Sequence, residues 1–461
     1  MEVNVNIDRR RPWRCDRSQW TCIGRQYMAG LISNIGVFCL GASIGWVFFD
    51  DQISFISSMK LRQWTNAMMP LGAACFCMPM GMVMEKLGSK ALMLFQVLPY
   101  TCGWLLLIFA KNIYMVFVGR YVWGICGAAL CVAVPVYNVE ISQLKVRGAM
   151  GSMFYGAIIY GIMFANVLES FLSTYLVNII LMLMAVLNCT LQFIPQSPTF
   201  YILHDKINQA EASIAWLHGD QDIDIYIEEI KEQVFLGEEG RHDQWCSHKY
   251  AWRSVPRSSI MLVLYQLSGG VVISGLLRDI LIPMSETAYN TYEWVIWLAM
   301  IIGYLICFVL VDRVGRRLLL ALSAIIMCLS ALYICIWFKW LRHTKWNSQP
   351  LTALCIFIAA FSVGFGPLAW LLYVELIIEP LRPLGCAVGA TVGWLTASTM
   401  TIIFAYHLDL YSVFYIMLIV CFVSLLFIVI FLPETKGLTS LEIQNKLGGK
   451  SNEMHSTDSS F

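Results

Sequence analysis

Two charge patterns each occur twice in this chain, half a chain apart, and their residue types form ion pairs. Glu85-Lys86-Leu87-Gly88-Ser89-Lys90 returns as Asp312-Arg313-Val314-Gly315-Arg316-Arg317, and Glu140 with Arg147 returns at the same spacing as Glu375 with Arg382. Charges set among apolar residues are costly to desolvate, so each seeks a partner, and Arg with carboxylate is a strong pairing. The expected partners of Glu140 and Glu375 are Arg147, Arg313, Arg316, Arg317 and Arg382. Such pairs hold surfaces together and release them; they make no covalent bond. No phosphate-cradling Gly-rich loop, metal-ligand cluster or nucleophile triad is visible in the sequence, so no enzyme activity, cofactor or metal is expected.

The elements that carry these residues are membrane helices. Of 461 residues, 58% are hydrophobic and 13% charged, and the mean hydropathy is +0.67, whereas about a quarter of a soluble domain is charged. Stretches long and apolar enough to cross a bilayer fall at 28–49, 62–84, 91–110, 113–139, 150–170 and 174–194, then at 258–283, 292–311, 318–340, 350–379, 383–408 and 411–432. The expectation is an all-α membrane protein of twelve helices in two six-helix halves, 28–194 and 258–432. A linker, 195–257, joins the halves, and tails 1–27 and 433–461 flank them. Within the linker, Ala210, Ile214 and Leu217 share one helical face and Ile227 and Ile230 another.

A net charge of +1 says little about partners, but its distribution sets orientation. Arg9, Arg10, Arg11, Arg14, Arg17 and Arg25 crowd the N-terminal tail, and Lys86, Lys90, Lys145, Arg147, Arg313, Arg316, Arg317 and Arg382 fall in loops on the same side. Both termini are therefore expected in the cytoplasm, with the basic tail fixing topology rather than binding nucleic acid. Lys339, Arg342 and Lys345 are the exception, in an outer loop. Many of the sixteen cysteines, Cys75, Cys77, Cys126, Cys131, Cys307 and Cys355 among them, lie inside spans and read as small apolar residues rather than disulfides.

Further landmarks follow one another along the spans: Gly119-Arg120, Pro135-Val136-Tyr137-Asn138-Val139-Glu140, Arg147-Gly148, Pro195-Gln196-Ser197-Pro198, Gln266-Leu267-Ser268-Gly269, Gly364-Phe365-Gly366-Pro367-Leu368-Ala369-Trp370 and Pro433-Glu434-Thr435-Lys436-Gly437. In this order the chain resembles the sugar porter family of the major facilitator superfamily, from the first span to Leu447. The Gly364–Pro367 and Pro433–Gly437 segments look most like those of insect facilitated trehalose transporters. The resemblance implies a carrier that alternates access to a central cavity, built from duplicated halves as many carriers are, with the repeated ion pairs closing the cytoplasmic side. It also implies that Trp370 and Trp394 stack on a sugar ring and that Gln266 binds sugar hydroxyls. Read from the residues alone, Gln266 could equally bond a neighbouring helix, and the tryptophans could belong to an interfacial belt.

Departures from the family pattern fall in the same places. Sugar porters commonly have Gln where this chain has Tyr155 and Tyr265, Asn at Val271, Met300 and Gly393, and Glu at Ser362; the charged loop also has Ser89 for Arg and Gln196 for Glu. Tyr155, Tyr265 and Thr391 offer hydroxyls in place of amides, or Tyr fills the space. The first span has no acid before Asp50 and Asp51 at its end, and coupling to protons usually needs a carboxylate within the membrane. The reading is a facilitative plasma-membrane uniporter of trehalose, a hexose or a similar neutral solute. Its alternatives are a non-transporting sugar sensor or scaffold, and a carrier of another neutral solute such as a polyol. The small-molecule substrate and the lipid bilayer are the expected partners; nothing in the sequence speaks to an oligomeric state.

Overall fold

Helices that run between one charged end and one apolar end account for nearly all of the structure. The computed structural model describes residues 17–46, 59–219, 223–238, 251–269, 289–341, 349–407 and 410–447. Asp50, Asp51, Val271, Arg342, Lys345 and the second part of the 258–283 span lie outside them. Among the described residues, eleven helical stretches, some joining two of the helices named below, are long and apolar enough to cross a membrane.

In the N-terminal half, α1 (Arg17–Ser33) turns at Asn34 into α2 (Ile35–Gly45), followed by α3 (Met59–Leu87), α4 (Ser89–Phe95), α5 (Val97–Ile108), α6 (Ile113–Glu140), α7 (Arg147–Phe171) and α8 (Thr174–Val186). The linker holds α9 (Pro198–Leu203), α10 (Ile207–His218) and α11 (Ile223–Glu238). The C-terminal half has α12 (Ala251–Leu267), α13 (Tyr289–Val314), α14 (Arg316–Ile336), α15 (Gln349–Val363), α16 (Phe365–Glu375), α17 (Arg382–His407) and α18 (Leu410–Phe431), with α19 (Ser440–Leu447) after it. Helix starts earlier than the spans suggest, at Arg17 and Ala251, because amphipathic turns extend each helix beyond its apolar run.

Both copies of the charged loop turn on a glycine in the left-handed region, Gly88 with φ 81° and Gly315 with φ 110°, a conformation that a side chain resists. Small residues set the closest crossings: a Cβ on Gly41 would lie 2.2 Å from the Ile158 carbonyl oxygen, and one on Gly124 would lie 2.1 Å from that of Met69. These contacts seat α2 on α7 and α6 on α3. The halves meet along two seams, α3 with α17 and α7 with α13.

The expected break in the tenth span is at Gly364, between α15 and α16. Ser323 of α14 fills it: its Oγ donates to the Ala360 carbonyl at 2.7 Å and accepts the Phe365 N–H at 3.2 Å. The backbone groups freed by the break are thus satisfied by protein, as membrane depth requires.

The linker helices build a small core of their own from Ile202, Ala210, Ile214 and Ile227. They are latched to α1 and to the loop after α6. Gln26 lies 3.1 Å from His218 Nδ1 and accepts the Gln143 N–H at 3.1 Å, and His218 stacks on Tyr226 with ring centroids 4.8 Å apart.

Candidate functional site

The charged residues converge at one end of the bundle, called here the basic end, in two matching lattices. In the C-terminal half, Glu434 accepts the N–H groups of Arg316 and Arg317, each at 3.0 Å, so it caps α14 from a distance in sequence. In the N-terminal half, Gln196 Oε1 does the same for α4, taking the Lys90 N–H at 2.9 Å and the Ser89 hydroxyl at 3.1 Å. The next residue in each motif holds the glutamate of its half: Thr435 Oγ1 donates to Glu375 at 2.6 Å and Ser197 Oγ to Glu140 at 2.5 Å.

Ion pairs are laid over this frame. Arg316 lies 3.1 Å from Asp312 and 3.3 Å from Glu375, all three largely buried. Arg382 lies 2.9 Å from Glu379 and 4.0 Å from Glu140 in the other half, and donates to Ser440 Oγ at 2.9 Å. Arg147 is half-buried in the field of Glu375 and Glu379. Two of the named arginines stand apart. Arg313 is exposed and contributes only its carbonyl, to Lys436 Nζ at 2.6 Å, and the Arg317 side chain turns to the Val429 carbonyl. Neither meets Glu140 or Glu375, because the loop turn at Gly315 points Arg316, and not its neighbours, toward the seam.

A contact across the halves was not anticipated from the sequence. Asp312 accepts the Gly148 N–H at 3.0 Å and the Ala149 N–H at 2.8 Å, so a carboxylate of the C-terminal half caps the first turn of α7 in the N-terminal half. A Cβ at position 148 would stand 2.4 Å from Asp312 Oδ1, which explains the glycine. The two halves differ here. Pro383 follows Arg382 where Gly148 follows Arg147, and a proline has no N–H to offer Glu85.

Midway along the helices, aromatic side chains of both halves pack into one cluster, called here the chamber. Trp370 on α16 is buried, with ring centroids 4.7 Å from Phe154, 5.8 Å from Tyr265 and 5.7 Å from Tyr373. Tyr155 reaches across from α7 to α15, its hydroxyl 3.0 Å from Ser362 Oγ. Its ring occupies the space that a Cβ on Gly366 would take, 2.5 Å away. Tyr265 packs on Phe361 at 5.5 Å. Trp394 on α17 is buried beside Cys131, whose carbonyl accepts the Tyr373 hydroxyl at 3.4 Å. Gln266 is buried with Oε1 unpaired, which is costly unless a ligand supplies the bond. Thr391, by contrast, spends its hydroxyl on the Ala387 carbonyl of its own helix at 2.8 Å.

The chamber is neutral. Among the described residues, the carboxylates between the halves, Glu140, Asp312, Glu375 and Glu379, all belong to the basic end. Aromatic rings and an unpaired amide suit a neutral ligand with apolar faces and hydroxyl edges.

A family model described as "Sugar (and other) transporter" matches residues 26–447. The chain belongs to that family. It is 35% identical over 446 residues to a glucose transporter type 3 of Drosophila melanogaster, covering 92% of this chain and 86% of the relative. It is 27% identical to a facilitated trehalose transporter of Bombyx mori, with coverages of 93% and 87%. Among solved structures, the proton:xylose symporter XylE bound to 6-bromo-6-deoxy-D-glucose superposes with a TM-score of 0.80 at 17% identity, covering 92% of this chain and 99% of XylE. The inward-open form of the E. coli xylose transporter gives 0.68 at the same identity, covering 91% and 99%. The fold is therefore that of the major facilitator superfamily, and the chain is a multi-pass sugar transporter, not an enzyme.

Proposed function

We propose that this transporter is a facilitative carrier of a neutral sugar, trehalose or a hexose, and that it equilibrates the sugar by alternating access to the chamber around Trp370. The observation that carries this reading is the buried, unpaired Gln266 Oε1, on the residue after Tyr265, whose ring joins the aromatic cluster shared by both halves. Trp370 and Trp394 offer ring faces to a pyranose, and Gln266 bonds its hydroxyls. Tyr155 and Tyr265 narrow the chamber and set which sugars enter; Thr391, already bonded to its own helix, acts at most as a wall.

The basic end faces the cytoplasm of a cell with this protein in its plasma membrane, on the charge bias of its loops. There Asp312 on the α7 start and Arg382 beside Glu140 hold the halves together, with Arg147, Arg316 and Glu375 in the same cluster. Opening to the cytoplasm breaks these contacts. Uniport is favoured over proton coupling because the first span has no acid before Asp50.

The test is uptake of labelled trehalose and glucose in oocytes, beside Trp370→Ala and a surface-expression control. Saturable uptake that the variant loses is expected. An absence of uptake with the wild-type protein at the surface would leave a sensor or a carrier of a different solute.

A further inference from the structure

The face of α3 that packs on α17 carries two amides with nothing to bond. Gln63 is 1% exposed and Asn66 6%, yet Nε2 and Oε1 of Gln63 and Nδ2 and Oδ1 of Asn66 all lack hydrogen-bond partners. Interiors rarely leave a buried polar group unpaired. Here two adjacent side chains leave all their polar atoms so.

Helical phase places them at the seam between the halves. Gly81 touches α17 closely: a Cβ there would lie 2.5 Å from Ala387 Cβ and 2.8 Å from the Pro383 carbonyl oxygen. Gln63 lies about five ideal turns before Gly81, but Pro70 and Pro79 stand between them, so its bearing is set by the nearer contact at Ala67. Ala67, one turn from Gln63, accepts the Ser398 hydroxyl of α17 on its carbonyl at 3.3 Å. Asn66 flanks this stripe. The opposite face of α3 is committed to α6, through the Thr65 carbonyl, which accepts from Arg120 Nε at 2.8 Å, and through the close approach of Gly72 to Tyr121. On α17, Ser398 lies one turn beyond Trp394, about 6 Å along the axis and away from the basic end.

We propose that Gln63 and Asn66 form a second sugar subsite, between α3 and α17 on the far side of Trp394 from the basic end, for the second ring of a disaccharide. The proposal rests on the carrier reading above, in which Trp370, Trp394 and Gln266 hold the first ring. Each amide offers donor and acceptor together, which matches neighbouring hydroxyls, and neither brings charge. Along the axis Asn66 stands roughly one turn and Gln63 about two turns beyond Trp394, ~6 and ~12 Å, so a second ring would meet Asn66 at its near edge and Gln63 at its far edge. A monosaccharide would fill the inner subsite and leave the amides unused.

The test compares trehalose and glucose uptake by the full-length wild type, Gln63→Leu and Asn66→Leu, substitutions that remove the amides while roughly keeping volume. Each variant is expected to raise KM for trehalose about tenfold, the 1.4 kcal/mol of one lost hydrogen bond, with KM and rate for glucose unchanged. Equal losses for both sugars, or no change for trehalose, would overturn the subsite. Should a variant fail to reach the surface, competition on the wild type decides: trehalose is expected to displace labelled glucose at lower concentration than unlabelled glucose does, and weaker displacement overturns the proposal. Wild-type glucose uptake that trehalose cannot compete with removes the subsite and spares the carrier reading. Wild-type protein at the surface that carries neither sugar overturns the carrier reading, and the subsite with it.

Discussion

Asp312→Asn is expected to open the basic end. The carboxylate takes two backbone N–H groups at the start of α7, at 3.0 and 2.8 Å, and pairs with Arg316 at 3.1 Å. The two N–H bonds exist only while the halves touch, whereas the Arg316 pair lies within one half and survives opening. The substitution therefore weakens the closed state more than the open one. A lost cap is worth about 1 kcal/mol, and the lost charge at a helix start about 1 more in a partly buried setting. Together, about 2 kcal/mol shifts the population roughly 30-fold toward the state open at the basic end. Hydrogen exchange read by mass spectrometry would follow two segments, 145–152 around the cap and 376–384 around Arg382. Faster exchange in both is expected. Faster exchange in 145–152 alone would mean that Asp312 caps a helix and holds nothing shut, which refutes the reasoning. Glu85→Gln is the matched control and should change neither segment, since among the described residues Glu85 makes no hydrogen bond or ion pair across the seam.

Arg316→Ala should also favour the open state: its pairs with Asp312 and Glu375 lie within one half, but the carboxylates left without their cation are desolvated at the closed seam and hydrated once it parts; an unchanged exchange rate in the same two segments would contradict it. Tyr155→Phe removes the bond to Ser362 between the halves and should weaken the chamber by about 1 kcal/mol, seen as a lower melting temperature of the purified protein that Ser362→Ala reproduces and the double variant does not deepen. Gly364→Ala would place a Cβ 2.4 Å from Ser323 Cβ and should cut surface expression, with partial rescue by Ser323→Gly; expression equal to wild type would show that the break tolerates crowding. Burial pushes the His218 imidazole down to about 4. Between pH 6.5 and 4 the unlatched state then binds a proton that the latched state refuses, so latch stability falls as pH drops through that window, on the order of 2 kcal/mol. Exchange of 207–230 should rise from pH 7 to pH 5 after correction for intrinsic rates, and His218→Gln should flatten the change.

The helical plan was legible because apolar runs and repeated charges report directly on burial and on helix ends. Gly364 and the pairing of Glu375 with Arg316 were readable for the same reason. Individual partners were not. Arg313, Arg316 and Arg317 are alike in type within one charged loop, and only the left-handed turn at Gly315 decides that Arg316 enters the seam while Arg313 faces outward. Gly148 belongs to the Arg147-Gly148 landmark, but the sequence names no partner for it, and its role appears only with Asp312 beside it. Gln63 and Asn66 gave no signal, because an amide one turn inside a helix has the same sequence environment whether it is paired or not. A family comparison would not single them out either, since it directs attention to Gln266, Trp370 and Trp394.

The two lattices at the basic end repeat in outline and differ in charge, and the difference bears on how the carrier moves. Both halves use a glycine turn, a side chain from a following Pro-initiated motif to cap the next helix, and a hydroxyl to hold a glutamate. In the C-terminal half that cap is Glu434 and the far carboxylate, Asp312, reaches the other half; in the N-terminal half the cap is the neutral Gln196, and the residue matching Gly148 in the repeat is Pro383. A cap by a neutral amide is the weaker of the two, since a charge-assisted hydrogen bond is roughly twice as strong as a neutral one. Both caps lie within their own halves, but Asp312 crosses the seam between α7 and α13, which therefore holds the basic end shut more firmly than the same end of the seam between α3 and α17. Opening is accordingly expected to begin where α3 meets α17, next to Arg382 and its 4.0 Å contact with Glu140. Exchange at 382–388 that runs ahead of exchange at 147–152 in the wild type is the ordering this asymmetry demands.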